Sequence, residues 1–201
     1  MGSSVRIERW SQDDLDLLRR ANAPEMMDHL GGPETEEKLA VRHARYVGMT
    51  DPAAGRMYRI VRADGSGPDP DPDPDPEPVG TIGYWERQWQ GGTVYETGWA
   101  VLSAFQGLGV ASAAARAVAA EAAEHGRNRY LHAFPKTDHP GSNGVCRKAG
   151  FVLMAECDFE YPPGHKIRTN DWRLDLSALN PLSPLSSLSS LSPDADRSER
   201  R

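Results

Sequence analysis

Only two cysteines, Cys146 and Cys157, occur in 201 residues. Two are too few for a disulfide framework or a cysteine-built zinc site, and such usage suits a reducing compartment. Long apolar runs are missing too. No stretch of about 18 apolar residues exists to cross a membrane as a helix, and mean hydropathy is −0.61. The start, Met1 to Arg6, lacks the apolar region of a secretory leader, and Arg6 stands where an N-myristoylation motif has Ser or Thr. Nor is there a basic excess. The formal charge is −6, and the five acids between Pro68 and Pro78, with no base among them, account for most of it. The remainder is nearly neutral, which argues against nucleic acid as a partner. Together these absences predict a cytoplasmic protein, off the membrane, with room for one ordinary domain.

Two segments have low complexity. Gly65-Ser66-Gly67 leads into a Pro-Asp repeat from Pro68 to Asp75, followed by Pro76-Glu77-Pro78. Every second residue lacks an N–H and like charges repel, so residues 65–78 are expected to be an extended, disordered insert. From Ser177 to Arg201, Leu-Ser repeats are broken by Pro181, Pro184 and Pro193, and this composition predicts a disordered tail. An interaction role is the alternative for both, with Leu182, Leu185, Leu188 and Leu191 lining one face of a docking peptide. The expected domain is therefore residues 1–176.

Within it, Arg6–Trp10 reads as a strand, and Ser11-Gln12-Asp13-Asp14 as a capping-box helix start. A second helix is expected from Pro33 and Glu34 to about Val47. Arg56–Arg62 and Val79–Glu86 read as strands joined through the acidic insert, and Val94–Leu102 as a third. An alanine-rich helix follows from Gly109 to His125, with Gly126 as a left-handed C-terminal cap. Then come a strand at Tyr130–Phe134, a short helix at Gly141–Lys148, and strands at Phe151–Asp158 and Ile167–Leu176. The pattern predicts a mixed α/β fold with a single central sheet.

The chemistry concentrates where a strand runs through a glycine loop straight into a helix, from Glu96-Thr97-Gly98-Trp99-Ala100-Val101 to Gln106-Gly107-Leu108-Gly109-Val110-Ala111. The first N–H groups of such a helix have no intrahelical partner and point outward with the positive end of the dipole. Glycines let a pyrophosphate approach them closely. A Walker loop is excluded, since no Gly-Lys precedes Ser or Thr. A dinucleotide fingerprint also fails: Ser112 replaces its third glycine, and Phe134-Pro135 stand where its acid belongs.

What remains is Gln-x-x-Gly-x-Ala after a strand, here Gln106, Gly109 and Ala111, which resembles the coenzyme A loop of the GNAT superfamily of acetyl-CoA-dependent N-acetyltransferases. Glu96-Thr97-Gly98-Trp99-Ala100-Val101 is similar to that family's fourth strand. Ser142-Asn143-Gly144-Val145-Cys146-Arg147-Lys148-Ala149-Gly150-Phe151 resembles its Ser-Asn-x-x-x-x-Lys-x-Gly-Phe segment. His29-Leu30-Gly31-Gly32-Pro33 and the later strands resemble the branch related to ribosomal-protein N-acetyltransferases.

The resemblance implies a mostly antiparallel sheet, flanked by helices and splayed between the fourth and fifth strands, with acetyl-CoA as co-substrate. Pantetheine would pair with backbone from Ala100 to Ser103, and the Val101 N–H would face the thioester oxygen. The backbone of Gly107, Leu108, Gly109, Val110 and Ala111, beside Gln106, would hold the pyrophosphate. His139 stands where the family has a pantetheine-contacting Asn three residues before Ser142, and it is read as a cofactor donor or a helix cap. Cys146 stands where many members carry a Tyr acid, and it is read as a proton donor or a buried structural thiol. Glu96 is read as a catalytic or water-ordering carboxylate, or as a solvent-facing or arginine-paired acid.

Magnitudes bear on the acceptor. Freeing a lysine-like amine of its proton at pH 7 costs about 4.6 kcal/mol, and an α-amine about 1 kcal/mol, so an α-amine needs little help from a base. Trp85 and Glu86, with Glu160 and Tyr161, lie in aromatic and acidic segments at strand ends. They are expected to form an amine pocket, the alternative being a core or dimer-seam role. His125, His132 and His165 are too dispersed to suggest a metal site. The expected function is acetyl transfer to a primary amine, a protein N-terminus or a small molecule, in a monomer or homodimer. The alternative is a catalytically degenerate acyl-CoA-binding or protein-interaction module.

Overall fold

The computed structural model describes residues 4–27, 32–63, 77–160, 164 and 166–179. The Pro-Asp repeat up to Pro76 and the tail from residue 180 lie outside the described residues. Seven strands form one sheet: β1 (Val5–Arg9), β2 (Gly55–Arg62), β3 (Gly80–Trp89), β4 (Gly92–Val101), β5 (Tyr130–Ala133), β6 (Val152–Glu160) and β7 (Lys166–Asp175). Their order is β1-β2-β3-β4-β5-β7-β6. Every neighbouring pair is antiparallel except β4 and β5. The helices are α1 (Leu15–Ala21), α2 (Pro24–Met27), α3 (Glu36–Gly48), α4 (Val110–His125) and α5 (Pro140–Ala149). Among the described residues no helix is long and apolar enough to cross a membrane.

Strand alternation sorts side chains onto two faces. On one, Tyr58, Ile60, Ile82, Tyr84 and Tyr95 pack against α4, which presents Ala114, Ala115, Val118, Ala119 and Ala122. Alanine at these positions lets the helix lie close to the sheet. On the other face, Met57 packs with Trp10, Leu17, Leu18 and Leu39, so that α1 and α3 cover it. The predicted capping box is formed: Ser11 N–H donates to Asp14 Oδ2 (2.6 Å), and Ser11 Oγ accepts from Asp13 N–H (3.2 Å).

Two expectations need correction. The strand expected to stop at Glu86 continues to Trp89 and returns through Gln90 and Gly91, whose φ values of 48° and 82° make the two-residue hairpin turn that suits twisted strands. Gly126 is not a left-handed cap, since its φ is −81°. Glycine is needed there for close approach: a Cβ would meet the Ala122 carbonyl oxygen and lie 2.7 Å from the Tyr95 ring. The described residues continue past Leu176. That side chain is fully buried, and a short 3-10 turn continues to Ala178 because Asp175 accepts from Ser177 N–H (3.0 Å).

Candidate active site

β4 and β5 are in register at only two positions, Tyr95 with Leu131 and Glu96 with His132. β5 pairs with β7 along its other edge from Tyr130 to Ala133, and the β4 segment from Thr97 to Val101 has no β5 partner. The sheet therefore opens into a V whose vertex is Glu96 and His132. Hydrogen bonds alternate sides along an antiparallel ladder. Leu102 N–H donates to Val79 O (2.9 Å), so the N–H groups of Val101 and Trp99 point away from β3 and into the gap.

At the open end of the V stand the loop and the start of α4. Ser103 to Phe105 form a 3-10 turn, and Gln106 Nε2 donates to Val101 O (2.9 Å), tying the loop to the end of β4. Ser103 and Gln106 also reach the Met26 sulfur on α2 (3.4 and 3.6 Å). Leu108 stands half out into solvent at the loop. Gly109 has φ of 85°, a backbone state that favours glycine. No side chain caps α4, and its first bond runs from Ala113 N–H to Gly109 O (3.0 Å). The N–H groups of Val110, Ala111 and Ser112 lie ahead of that bond and point out of the helix. Nothing lies within 4 Å of where a Cβ on Gly107 or Gly109 would sit, so their approach is open. A backbone cradle with this access fits a diphosphate.

On the far side of the gap, His139 is the N-cap of α5, its Nδ1 accepting from Ser142 N–H (3.3 Å); the helix-capping role is the one seen. Asn143, which sequence reasoning passed over, joins α5 to β7: its Oδ1 accepts from Trp172 Nε1 (2.9 Å) and Asn170 Nδ2 (2.7 Å). Cys146 lies 0% exposed in the main core, and burial pushes its thiol up to about 12. That placement matches the buried structural alternative.

Glu96 is 15% exposed and paired with Arg87 (2.7 Å), the arginine-paired alternative. It shares the face away from α4 with Gly98 and Ala100. Trp85 lies on that same face, half-buried, and a Cβ on Gly98 would come 3.1 Å from its ring. Glu86 is a different case. Alternation turns it to the α4 face, where its carboxylate accepts from Arg127 (2.8 and 2.9 Å) and Asn128 (2.9 Å), which hold its carboxyl below the usual range. It lines an open basin of about 400 Å³ at the C-terminal end of α4. That end is about 24 Å from Gly109 at 1.5 Å per residue over the 16 residues of the helix, so Glu86 lies far from the glycine loop. Glu160 is exposed and its Oε1 accepts from Gly164 N–H (2.5 Å), bracing the β6–β7 turn. Tyr161 lies outside the described residues.

The structure also joins residues that no spacing rule connects. His132 Nδ1 and Asp171 Oδ1 are 2.6 Å apart, and Trp89 Nε1 donates to Asp171 Oδ2 (3.0 Å). Phe134 and Phe159 stack beside them, with the Arg87 guanidinium 4.1 Å from the Phe159 ring centroid.

Solved structures share this architecture at low identity. One is an acetyltransferase (GNAT family) from Bacillus anthracis, at 16% identity and a TM-score of 0.66, covering 88% of this chain and 98% of that one. A second is RimL, a ribosomal L7/L12 α-N-protein acetyltransferase in complex with coenzyme A, at 17% and 0.68, covering 87% and 96%. A third is spermidine N-acetyltransferase from Vibrio cholerae in complex with coenzyme A and spermine, at 13% and 0.66, covering 88% and 98%. Among curated proteins no sequence matches the chain. The family model described as acetyltransferase (GNAT) domain matches residues 4–152, which take in the whole V and its glycine loop. With that match over the splayed strands and the uncapped helix start, the chain belongs to the GNAT acetyltransferase family.

Proposed function

We propose that this protein transfers an acetyl group from acetyl-CoA to a primary amine by direct attack, with no covalent enzyme intermediate. The observation that carries this reading is the V between β4 and β5, with a glycine loop and an uncapped helix start at its mouth. The N–H groups of Gly109, Val110 and Ala111 take the pyrophosphate, and pantetheine lies along Ala100 to Ser103. The Val101 N–H, directed into the gap, donates to the thioester oxygen as negative charge develops there. Glu96, at the vertex, orders the acceptor or the water that relays its proton. The acceptor is a soluble amine, a protein N-terminus or a small molecule, and the setting is the cytoplasm. Similar folds act on a ribosomal-protein N-terminus and on spermidine, which supports both acceptor classes.

A thiol-release assay with acetyl-CoA, run against a panel of alkylamines, arylamines and N-terminal peptides, tests this. Release dependent on one acceptor class supports the reading and names the substrate. A second reading, an acyl-CoA-binding module without turnover, draws on Cys146, whose burial leaves the position of the family's Tyr acid without an accessible donor. Binding of coenzyme A with no release for any amine decides for that module.

A further inference from the structure

We infer that His132, oriented by Asp171, is the group that takes the proton from the acceptor ammonium in this chain. The inference rests on the acetyl-transfer reading and deepens it. His132 occupies the last β5 position in register with β4, directly opposite Glu96, where the V begins to open. Its Nδ1 is held by Asp171 at 2.6 Å, and both residues are buried, at 5% and 2% exposure. Asp171 accepts a second bond from Trp89 Nε1 (3.0 Å), so each carboxylate oxygen faces a donor. A carboxylate that only accepts fixes the imidazole proton on Nδ1 and leaves the lone pair on Nε2. Phe134 stacks on the ring at 5.8 Å with 17° between planes, which sets its orientation. Among the described residues Nε2 has no hydrogen-bond partner. A base held by a third group, with its second nitrogen unpartnered among the described residues and its strand position at the opening of the gap, has the arrangement of general-base catalysis.

Glu96 cannot serve as readily, because its carboxylate is already engaged by Arg87. The charged groups around His132 are Glu96 of β4, Arg87 of β3, and Asp171 and Arg173 of β7, and the titratable Cys157 of β6 lies opposite Thr169, two residues from Asp171. The step balances as follows. One ammonium proton passes to Nε2, directly or through one water, and the freed nitrogen pair bonds to the thioester carbonyl carbon. The C–S bond breaks with its electron pair on sulfur. The second nitrogen proton neutralises the thiolate, and the imidazolium returns its proton to solvent. Asp171 acts through His132 and is a positioning residue.

The test compares wild type, His132→Gln and Asp171→Asn with two acceptors across pH. One is an alkylamine that is an ammonium at neutral pH; the other is an arylamine that is neutral throughout. The inference expects both variants to lose about 100-fold in kcat with the alkylamine and to lose the acid limb of its kcat/KM profile. The arylamine rate and coenzyme A affinity should stay close to wild type, since that acceptor has no proton to shed before attack. Equal losses with both acceptors, or no loss with either, would overturn the role of His132 and leave acetyl transfer standing. A wild-type protein that releases no thiol with any amine overturns the transferase reading, and this inference with it. Melting temperature identifies a variant that does not fold; if His132→Gln is one, Asp171→Asn decides.

Discussion

Gly109 opens α4 at φ of 85° with open space before it, and any side chain there both strains the backbone and enters the proposed pyrophosphate position. Gly109→Asp adds charge to bulk, while Gly109→Asn adds the same bulk without charge, and both pay about 1–2 kcal/mol for the left-handed backbone. Calorimetry on folded protein should show coenzyme A binding lost in the Asp variant and weakened less in the Asn variant. Equal affinities for both would mean that no anion sits there. Cys146 makes the opposite argument, since everything around it is core. Cys146→Ser buries a hydroxyl without an assured partner and should cost about 1–3 kcal/mol of stability. It should appear as a lower melting temperature, with turnover per folded molecule unchanged; a fall in turnover at full stability would restore the acid role. The glycine was legible because a conformational requirement is local. The fate of Cys146 was not, because a lone thiol is small enough for core or cleft and nothing in its neighbours chooses.

At the scale of elements, α4 is bound to the sheet by size. Its inward positions are alanines, and Ala119 is 1% exposed while Ala120 faces solvent. Ala119→Leu forces three extra carbons between helix and sheet and should cost about 1–3 kcal/mol or more. Ala120→Leu, one residue along, should stay within about 0.5 kcal/mol. Urea midpoints measured side by side decide it, and equal effects would deny close packing at this contact. The helix was readable from its alanines and its flanking glycines, and β2, β3 and β4 from their alternation. Their faces were not. Alternation makes Glu96, Gly98 and Ala100 share a side, but only the placement of α4 against Tyr84 and Tyr95 shows that this side faces away from the alanine helix. Alternation puts Glu86 and Trp85, adjacent in sequence, on opposite faces, and the same placement decides which of them lies on the α4 side.

For the whole molecule, one ion pair ties the closing strand to the rest. Asp175 at the end of β7 accepts from Arg129, just before β5 (2.7 Å), and from Ser177, and these bonds hold its carboxyl down to about 2 against an ordinary 3.8. The folded value lies below the unfolded one. The stabilisation is therefore present above about pH 4 and disappears as the pH falls toward 2. The pair is about one-third exposed, so its contribution is modest, about 1 kcal/mol or less. Asp175→Asn should be less stable than wild type at pH 7 and match it near pH 2 in chemical denaturation; a constant gap across that range would mean that the charge is not what matters. Such a pair spans 46 residues, as the His132–Asp171 pair spans 39, and no spacing rule reaches that far. By itself the sequence determined what short-range physics can determine: caps, turns, strand alternation, the alanine face, and a loop whose glycines suit a phosphate. The tertiary structure alone decided which side of the sheet each alternating residue faces, that β5 keeps register with β4 at only two positions while pairing with β7 along its whole length, and which acid meets which base at the vertex. These depend on register between distant strands and on which helix covers each face, and both are settled only when the whole core packs at once.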